Sequence, residues 1–305
     1  MKVVYGHTDS IYVQMPMDKT KETVDLLNNH VRQKFPNLLE LDEHPVTLEF
    51  EKYFKSLGVG TTKNRNAGLI SWKDGVYLDE PEFTMTGFAA KRVAINKLAK
   101  DAQSTTLKMW VEGSPEHEVT AVLKKKYNAV LNNKTTIDFV SNRTTYRPAR
   151  FTYKCKFCNK EYTADELVIP SIATIPSRMT FCNKCGKDLE LTTLEGKNPS
   201  IGAGVEGVLW WNQNHDNKIV DSYVYVRVTD EITRQSYRNP ITQVTKRPKY
   251  ISAPSIKELP KLQIDAMHYA EQVVKKAKPI YEAMNWDVTK IRHDIHQRTL
   301  DEFGW

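Results

Sequence analysis

The chain has 305 residues, 40% hydrophobic and 27% charged, which is enough for two or three domains with their own cores. A formal net charge of +7 favours a polyanionic partner. No stretch approaches the ~20 apolar residues of a membrane helix, and charges interrupt the N-terminus where a signal peptide needs an apolar run. A cytoplasmic protein with no membrane partner is expected.

Residues 2–14 read as strand, tight turn, strand, with Val3-Val4-Tyr5 and Ile11-Tyr12-Val13 flanking a polar turn. A fold that begins on a strand needs neighbours for it, later in the chain or on a second chain. Residues 18–34 read as a helix, with Val24, Leu26, Leu27, Val31 and Phe35 at helical spacing. Residues 46–58 alternate and read as a strand with Glu49 and Glu51 on one face. Ala67–Trp72 and Val76-Tyr77 form a second hairpin around Asp74-Gly75. A helix is expected over 90–111. Another starts at Ser114-Pro115-Glu116 and ends at Asn132-Asn133. Residues 205–252, rich in Val, Tyr, Trp and Thr, read as strands. Residues 263–285 read as a helix that Pro279 kinks or divides, with Ile264, Met267, Val274, Tyr281 and Met284 on one side.

The four cysteines fall into two CxxC pairs, Cys155/Cys158 and Cys182/Cys185, separated by 23 residues. Each pair lets two thiolates meet one ion, and two such knuckles make a closed tetrahedral Zn²⁺ site. Zinc would organise residues 151–190, which are too short to fold on a core of their own. Just before and within the first knuckle, Arg143, Tyr146, Arg147, Arg150, Phe151, Tyr153, Lys154 and Phe157 interleave bases with aromatics. That composition suits nucleic-acid contact and equally suits packing of a ribbon.

Tyr5-Gly6-His7-Thr8-Asp9-Ser10 resembles the palm hairpin of B-family DNA polymerases, whose pattern is Tyr-Gly-Asp-Thr-Asp-Ser. The resemblance makes Asp9 a Mg²⁺ (or Mn²⁺) ligand of a two-metal site, with His7 in place of the first carboxylate and Glu51 as a further candidate ligand. His suits Mn²⁺ or Zn²⁺ better than Mg²⁺. Thr62-Lys63-Asn64-Arg65-Asn66-Ala67-Gly68 is similar to the family's primer-gripping Lys-Lys-Arg-Tyr-Ala-Gly segment. Lys63 and Arg65 match its basic positions, and Asn64 and Asn66 replace a Lys and a Tyr. Thr86-Gly87-Phe88 with Lys91-Arg92 resembles the passage from palm to thumb. Arg92, Arg147 and Arg150 join Lys63 and Arg65 as candidate DNA contacts. Gln297, Leu300 and Phe303 resemble a sliding-clamp-binding peptide, in which one helical turn presents an aliphatic and an aromatic residue to a pocket.

The resemblance implies an α+β chain: a partial palm with antiparallel sheet and helices, then a helical thumb with an inserted zinc ribbon and a β-rich segment. The expected parts are palm over 1–90, thumb helices over 91–150, zinc ribbon over 151–195, β-rich extension over 196–262, last thumb helix over 263–290 and clamp-binding tail over 291–305. The family's other catalytic Asp, its nucleotide-gripping helix and its exonuclease do not appear. The resemblance therefore implies the small subunit of a split archaeal-type polymerase. Its partners would be a large subunit carrying the remaining palm, fingers and exonuclease, with primer–template DNA, dNTP and the sliding clamp. A second reading is a catalytically degenerate subunit that binds DNA and clamp. A third is a free zinc-ribbon nucleic-acid-binding protein.

Overall fold

The computed structural model describes residues 2–6, 10–38, 40–60, 64–88, 90, 94–146, 153–162, 166, 168–169, 177–178, 181–188, 191–192, 203–229, 235–239, 244–260 and 263–292. They form an α+β structure of helices and small antiparallel sheets. The chain divides into two compact units, residues 1–91 with 104–119, and residues 92–103 with 120–305.

In the first unit, β1 (Lys2–Gly6) and β2 (Ile11–Gln14) pair antiparallel, with Val3 opposite Val13 and a bulge before Tyr5. Val3, Val4 and Ile11 remain exposed. Then α1 (Thr20–Lys34) forms where its spacing predicts, but its buried residues are Thr20 and Asn28, while Leu26 is 64% exposed. Val24, Leu27 and Val31 of the expected apolar face lie half-buried on that same side, and Asn28 turns inward among them to bond the backbone of Leu48. Its Nδ2 donates to the Leu48 carbonyl at 2.9 Å, and the Leu48 N–H donates to its Oδ1 at 2.7 Å. That side-chain amide takes the place of a neighbouring strand. The strand expected over 46–58 accordingly begins only at Lys52, as β3 (Lys52–Val59). Glu49 and Glu51 precede it, so the period-two argument that put them on one face fails.

A three-stranded sheet follows in the order β3, β4 (Asn66–Lys73), β5 (Val76–Thr86). Asp74 and Gly75 both take left-handed φ, 50° and 88°, as a two-residue hairpin turn requires. β5 extends well beyond Tyr77. Its register jumps from Tyr77 opposite Trp72 to Glu82 opposite Ile70, and Pro81 falls in that bulge, where no ladder donor is needed. The helix expected from residue 90 starts later, as α2 (Lys97–Val111). Asn96 caps it by accepting the Ala99 N–H at 2.8 Å. The C-terminal half of α2 lies on β3. Ser56 Oγ donates to the Val111 carbonyl at 2.6 Å, and the Trp110 ring covers Gly58.

The second unit continues with α3 (Glu116–Leu131), closed by Asn133 at φ 54°, then α4 (Ile137–Val140) and β6 (Asn142–Thr145). The ribbon segments are β7 (Tyr153–Cys155), β8 (Glu161–Tyr162), β9 (Val168–Ile169), β10 (Ser177–Arg178) and β11 (Leu191–Thr192). The next element is a correction: α5 (Ala203–Asn214) occupies the start of the stretch expected to be all strand. Val205 to Trp211 are buried without interruption, Glu206 included. A helix without a polar face has no 3.6-residue contrast, and its Val and Trp residues favour the strand reading.

Strands do follow: β12 (Ser222–Arg227), β13 (Tyr237–Arg238), β14 (Thr245–Lys246) and β15 (Tyr250–Ala253), with β12 between β15 and β6. α5 packs closely on β15. A Cβ on Gly207 would lie 2.7 Å from the Ser252 backbone nitrogen. Buried Glu206 is satisfied from the β13–β14 hairpin, accepting from Tyr237 Oη at 2.9 Å and pairing with Lys246 at 3.2 Å.

Last comes α6 (Ala266–Ala283), capped by Asp265, which accepts the His268 N–H at 2.9 Å. It is continuous through Pro279 and is not divided there. Its buried stripe is Tyr269, Ala270, Val273, Val274, Ala277, Ile280 and Tyr281. The expected face included Met267 and Met284, which are exposed. No helix among the described residues is long and apolar enough to cross a membrane.

Candidate functional site

Asp9 and His7, between β1 and β2 in the sequence, lie outside the described residues, as does Lys63. What the structure describes is the segments next to them in sequence. Tyr5, on the ascending strand, donates from Oη to Asn64 Oδ1 at 3.1 Å and accepts the Asn64 N–H at 2.8 Å. Asn64 takes the left-handed region at φ 62°, where Asn is tolerated. The turn is closed below by the Gly60 N–H, which donates to the Arg65 carbonyl at 2.7 Å. Gly87 sits against the same turn at φ 73°, and a Cβ there would lie 1.8 Å from the Asn64 carbonyl oxygen. Only glycine satisfies both the dihedral and the space.

Three segments far apart in sequence, at Tyr5, at Asn64 and Arg65, and at Gly87, therefore meet. Rings seat the hairpin further: Tyr5 and Tyr12 lie 5.5 Å apart, and Tyr12 and Phe54 6.0 Å. Arg65 is half-buried beside the turn. Asn66 is 5% exposed, paired with Thr86 in the sheet.

Glu51 is not brought to a carboxylate partner among the described residues. Its side chain is 65% exposed and pairs with Lys52, whose pKa the resulting hydrogen bond raises. Arg92, Arg147, Arg150, Gln297, Leu300 and Phe303 lie outside the described residues. Ahead of the tail, Arg292 forks onto Glu271 at 2.8 and 2.7 Å, and Ile291 is fully buried.

The four cysteines do converge. Their sulfurs all lie within 4.8 Å of one another, and among the described residues they are the cluster suited to a metal. Cys155 and Cys185 are 3.8 Å apart, Cys158 and Cys182 3.5 Å. A disulfide would need ~2.05 Å, whereas a tetrahedron with Zn–S of about 2.3 Å has edges of about 3.8 Å. The donor set and spacing fit Zn²⁺.

Both knuckles share one backbone device. The Asn159 N–H donates to the Cys155 carbonyl at 2.9 Å, and the Gly186 N–H to the Cys182 carbonyl at 2.8 Å. Asn159 and Gly186 take φ 57° and 69°. Tyr162 backs the centre. Its buried hydroxyl lies 3.0 Å from Cys182 Sγ and 2.7 Å from Asn183 Oδ1, so its single proton is shared between them. Burial pushes the Cys182 thiol up, but the Tyr162 hydroxyl and the N–H groups of Cys185 and Lys184 outweigh it and bring it to about 5. A backbone hydrogen bond at Lys160 pulls Cys158 down, while burial and the neighbouring thiols carry it up to about 11. Tyr162 was not a sequence-level candidate, since nothing in its neighbours distinguishes it from a strand tyrosine.

The ribbon shares its core with the elements that follow, in keeping with a segment too short for a core of its own. Cys155, Tyr162 and Cys182 belong to one core with Tyr146, α5, β12 and β15. Tyr146, a possible nucleic-acid contact by composition, is 4% exposed and packs edge-on against Tyr223.

A family model described as DNA polymerase family B matches residues 1–174, more than half of the chain. No curated protein matches. Among solved structures, the chain is similar to the family B DNA polymerase from the hyperthermophilic archaeon Pyrobaculum calidifontis, with TM-score 0.50 and 15% identity. That similarity covers 92% of this chain and 26% of the archaeal one, so the chain spans about a quarter of its neighbour's length. With the family match running from the first residue through the hairpin, the Asn64 turn and Gly87, the chain belongs to DNA polymerase family B.

Proposed function

We propose that the chain is the small subunit of a split DNA-directed DNA polymerase, active together with a partner chain. Asp9 contributes a carboxylate to a shared two-metal site, with His7 beside it and Glu51 as a further candidate ligand. Bound Mg²⁺ or Mn²⁺ would supply activation of the primer hydroxyl and charge neutralisation at the leaving phosphates. The large subunit supplies the remaining palm, fingers and exonuclease.

Lys63, Arg65 and Arg92 neutralise primer–template phosphates, and the helices after Gly87 act as thumb, joined by Arg147 and Arg150. Zn²⁺ on Cys155, Cys158, Cys182 and Cys185 is structural. The tail, through Gln297, Leu300 and Phe303, tethers the subunit to the sliding clamp.

The observation that carries this reading is the double hydrogen bond between Tyr5 and Asn64. It ties the strand that leads in sequence to Asp9 to Asn64, which neighbours Lys63 and Arg65 in sequence, and so supports a shared active site. A second reading, a DNA-binding subunit without chemistry, draws on the same region. Asn64 spends its side chain on Tyr5 and Asn66 is buried, so neither reaches a primer. Reconstitution with the co-purifying partner and Asp9→Asn separates the two. Loss of nucleotide incorporation by about 10³-fold or more, with DNA binding retained, supports the first. Unchanged incorporation leaves the second.

A further inference from the structure

The exposed surface of the cysteine knuckles is not used by the polymerase reading. Phe157 stands between Cys155 and Cys158 and is 46% exposed; Phe181 directly precedes Cys182 and is 59% exposed. Such rings are usually buried, and here a metal-ready scaffold with a packed interior holds both outside. Lysines flank them. Lys156, Lys184 and Lys187 are exposed, and Lys187 lies 4.8 Å above the Phe157 ring. The next residue, Asp188, forms a backbone bridge to Phe181, so both exposed rings flank the same pair of knuckles. Three carboxylates lie among the described residues of the ribbon, Glu161, Glu166 and Asp188, and Glu161 is paired with Lys154 at 3.0 Å.

We propose that this surface is a second nucleic-acid contact, taking a single-stranded segment by stacking bases on Phe157 and Phe181 and pairing its phosphates with Lys156, Lys184 and Lys187. Aromatic platforms interleaved with cations are what an unpaired strand needs, since every base has a π-face and every linkage a charge. A duplex hides its base faces and offers such rings nothing to stack on. A protein partner would call for a larger continuous apolar patch than two rings separated by lysines. The inference rests on the zinc reading and is independent of the Asp9 assignment.

The test uses the full zinc-loaded chain with a fluorescent single-stranded oligonucleotide and a duplex of the same length. Phe157→Leu with Phe181→Leu keeps apolar volume and removes the rings. Single-strand affinity should fall about tenfold or more, with duplex affinity and one zinc per chain retained. Lys184→Gln with Lys187→Gln should flatten the salt dependence by about 1.4 in log–log slope. Unchanged single-strand affinity, or an equal loss for duplex and single strand, overturns the proposal. Photo-crosslinking the unaltered chain to an oligonucleotide carrying 5-iodouracil needs no variant. Crosslinks at Phe157 or Phe181 support the contact, and crosslinks confined elsewhere overturn it. Loss of incorporation in Asp9→Asn leaves every one of these readouts unmoved.

Discussion

Tyr5 and Asn64 hold each other through both a side-chain and a backbone hydrogen bond, at 3.1 and 2.8 Å. The residues are 59 positions apart, and the pair is the described link between the hairpin and the turn that follows β3. Asn64 is exposed and Tyr5 only half-buried, so the link contributes modestly to stability and mainly to placement.

Tyr5→Phe should therefore cost about 1 kcal/mol or less in urea unfolding, yet lower incorporation by the reconstituted complex severalfold. Gly87→Ala should do more. It forces both a left-handed alanine and a collision with the Asn64 carbonyl, and a loss of about 1–3 kcal/mol is expected. Equilibrium unfolding of the two variants alongside the parent checks the ranking, and an unaffected Gly87→Ala protein would refute the packing described for the turn.

Removal of zinc should open the ribbon and disturb the core it shares with α5 and β12. Chelation is expected to alter near-ultraviolet circular dichroism and to expose tyrosine. Tyr162→Phe deletes the hydroxyl beside Cys182 and should weaken zinc binding about tenfold, within the range typical of outer-shell partners, while one zinc still binds at saturation. Competition with a colorimetric chelator measures the shift, and equal affinity for parent and variant would remove Tyr162 from the centre.

His268 gives the fold a pH dependence. Arg227 Nη1 can only donate to Nδ1, at 3.2 Å, and the Gln272 amide nitrogen lies 3.1 Å from Nε2, so donors face both ring nitrogens and disfavour the doubly protonated ring. Burial first, then Arg227 and Lys275, hold its pKa below the usual value, against a smaller opposing pull from Asp265; Tyr250 offers the edge or face of its ring but no charge. The unfolded chain therefore takes up this proton at about pH 6.5 while the folded one resists. Stability should be complete above about pH 7 and decline as the pH falls below about 6.5. Thermal midpoints across pH 5–8 should fall less steeply in His268→Gln than in the parent.

Gly207→Ala probes the α5–β15 contact. Its Cβ would sit 2.7 Å from the Ser252 backbone nitrogen and 2.9 Å from the Ile251 carbonyl carbon, neither of which moves easily. A destabilisation of about 1–3 kcal/mol is expected despite the better helix propensity of alanine. Chemical denaturation reads it directly, and a stabilised variant would contradict the close packing.

What the sequence determined by itself is what local chemistry decides. The two opening strands, the Asp74-Gly75 turn, the Ser114-Pro115 helix start and the two CxxC knuckles each carry their signal within a few residues, and each forms as read. The tertiary structure alone decided what depends on distant partners. Asn28 took the backbone of Leu48 and kept residues 46–51 out of the sheet. The all-round burial of α5 erased the period that would have revealed a helix. The meeting of Tyr5, Asn64 and Gly87 has no local trace, because hydrogen bonds and steric fit between remote segments act only once the chain has brought them together.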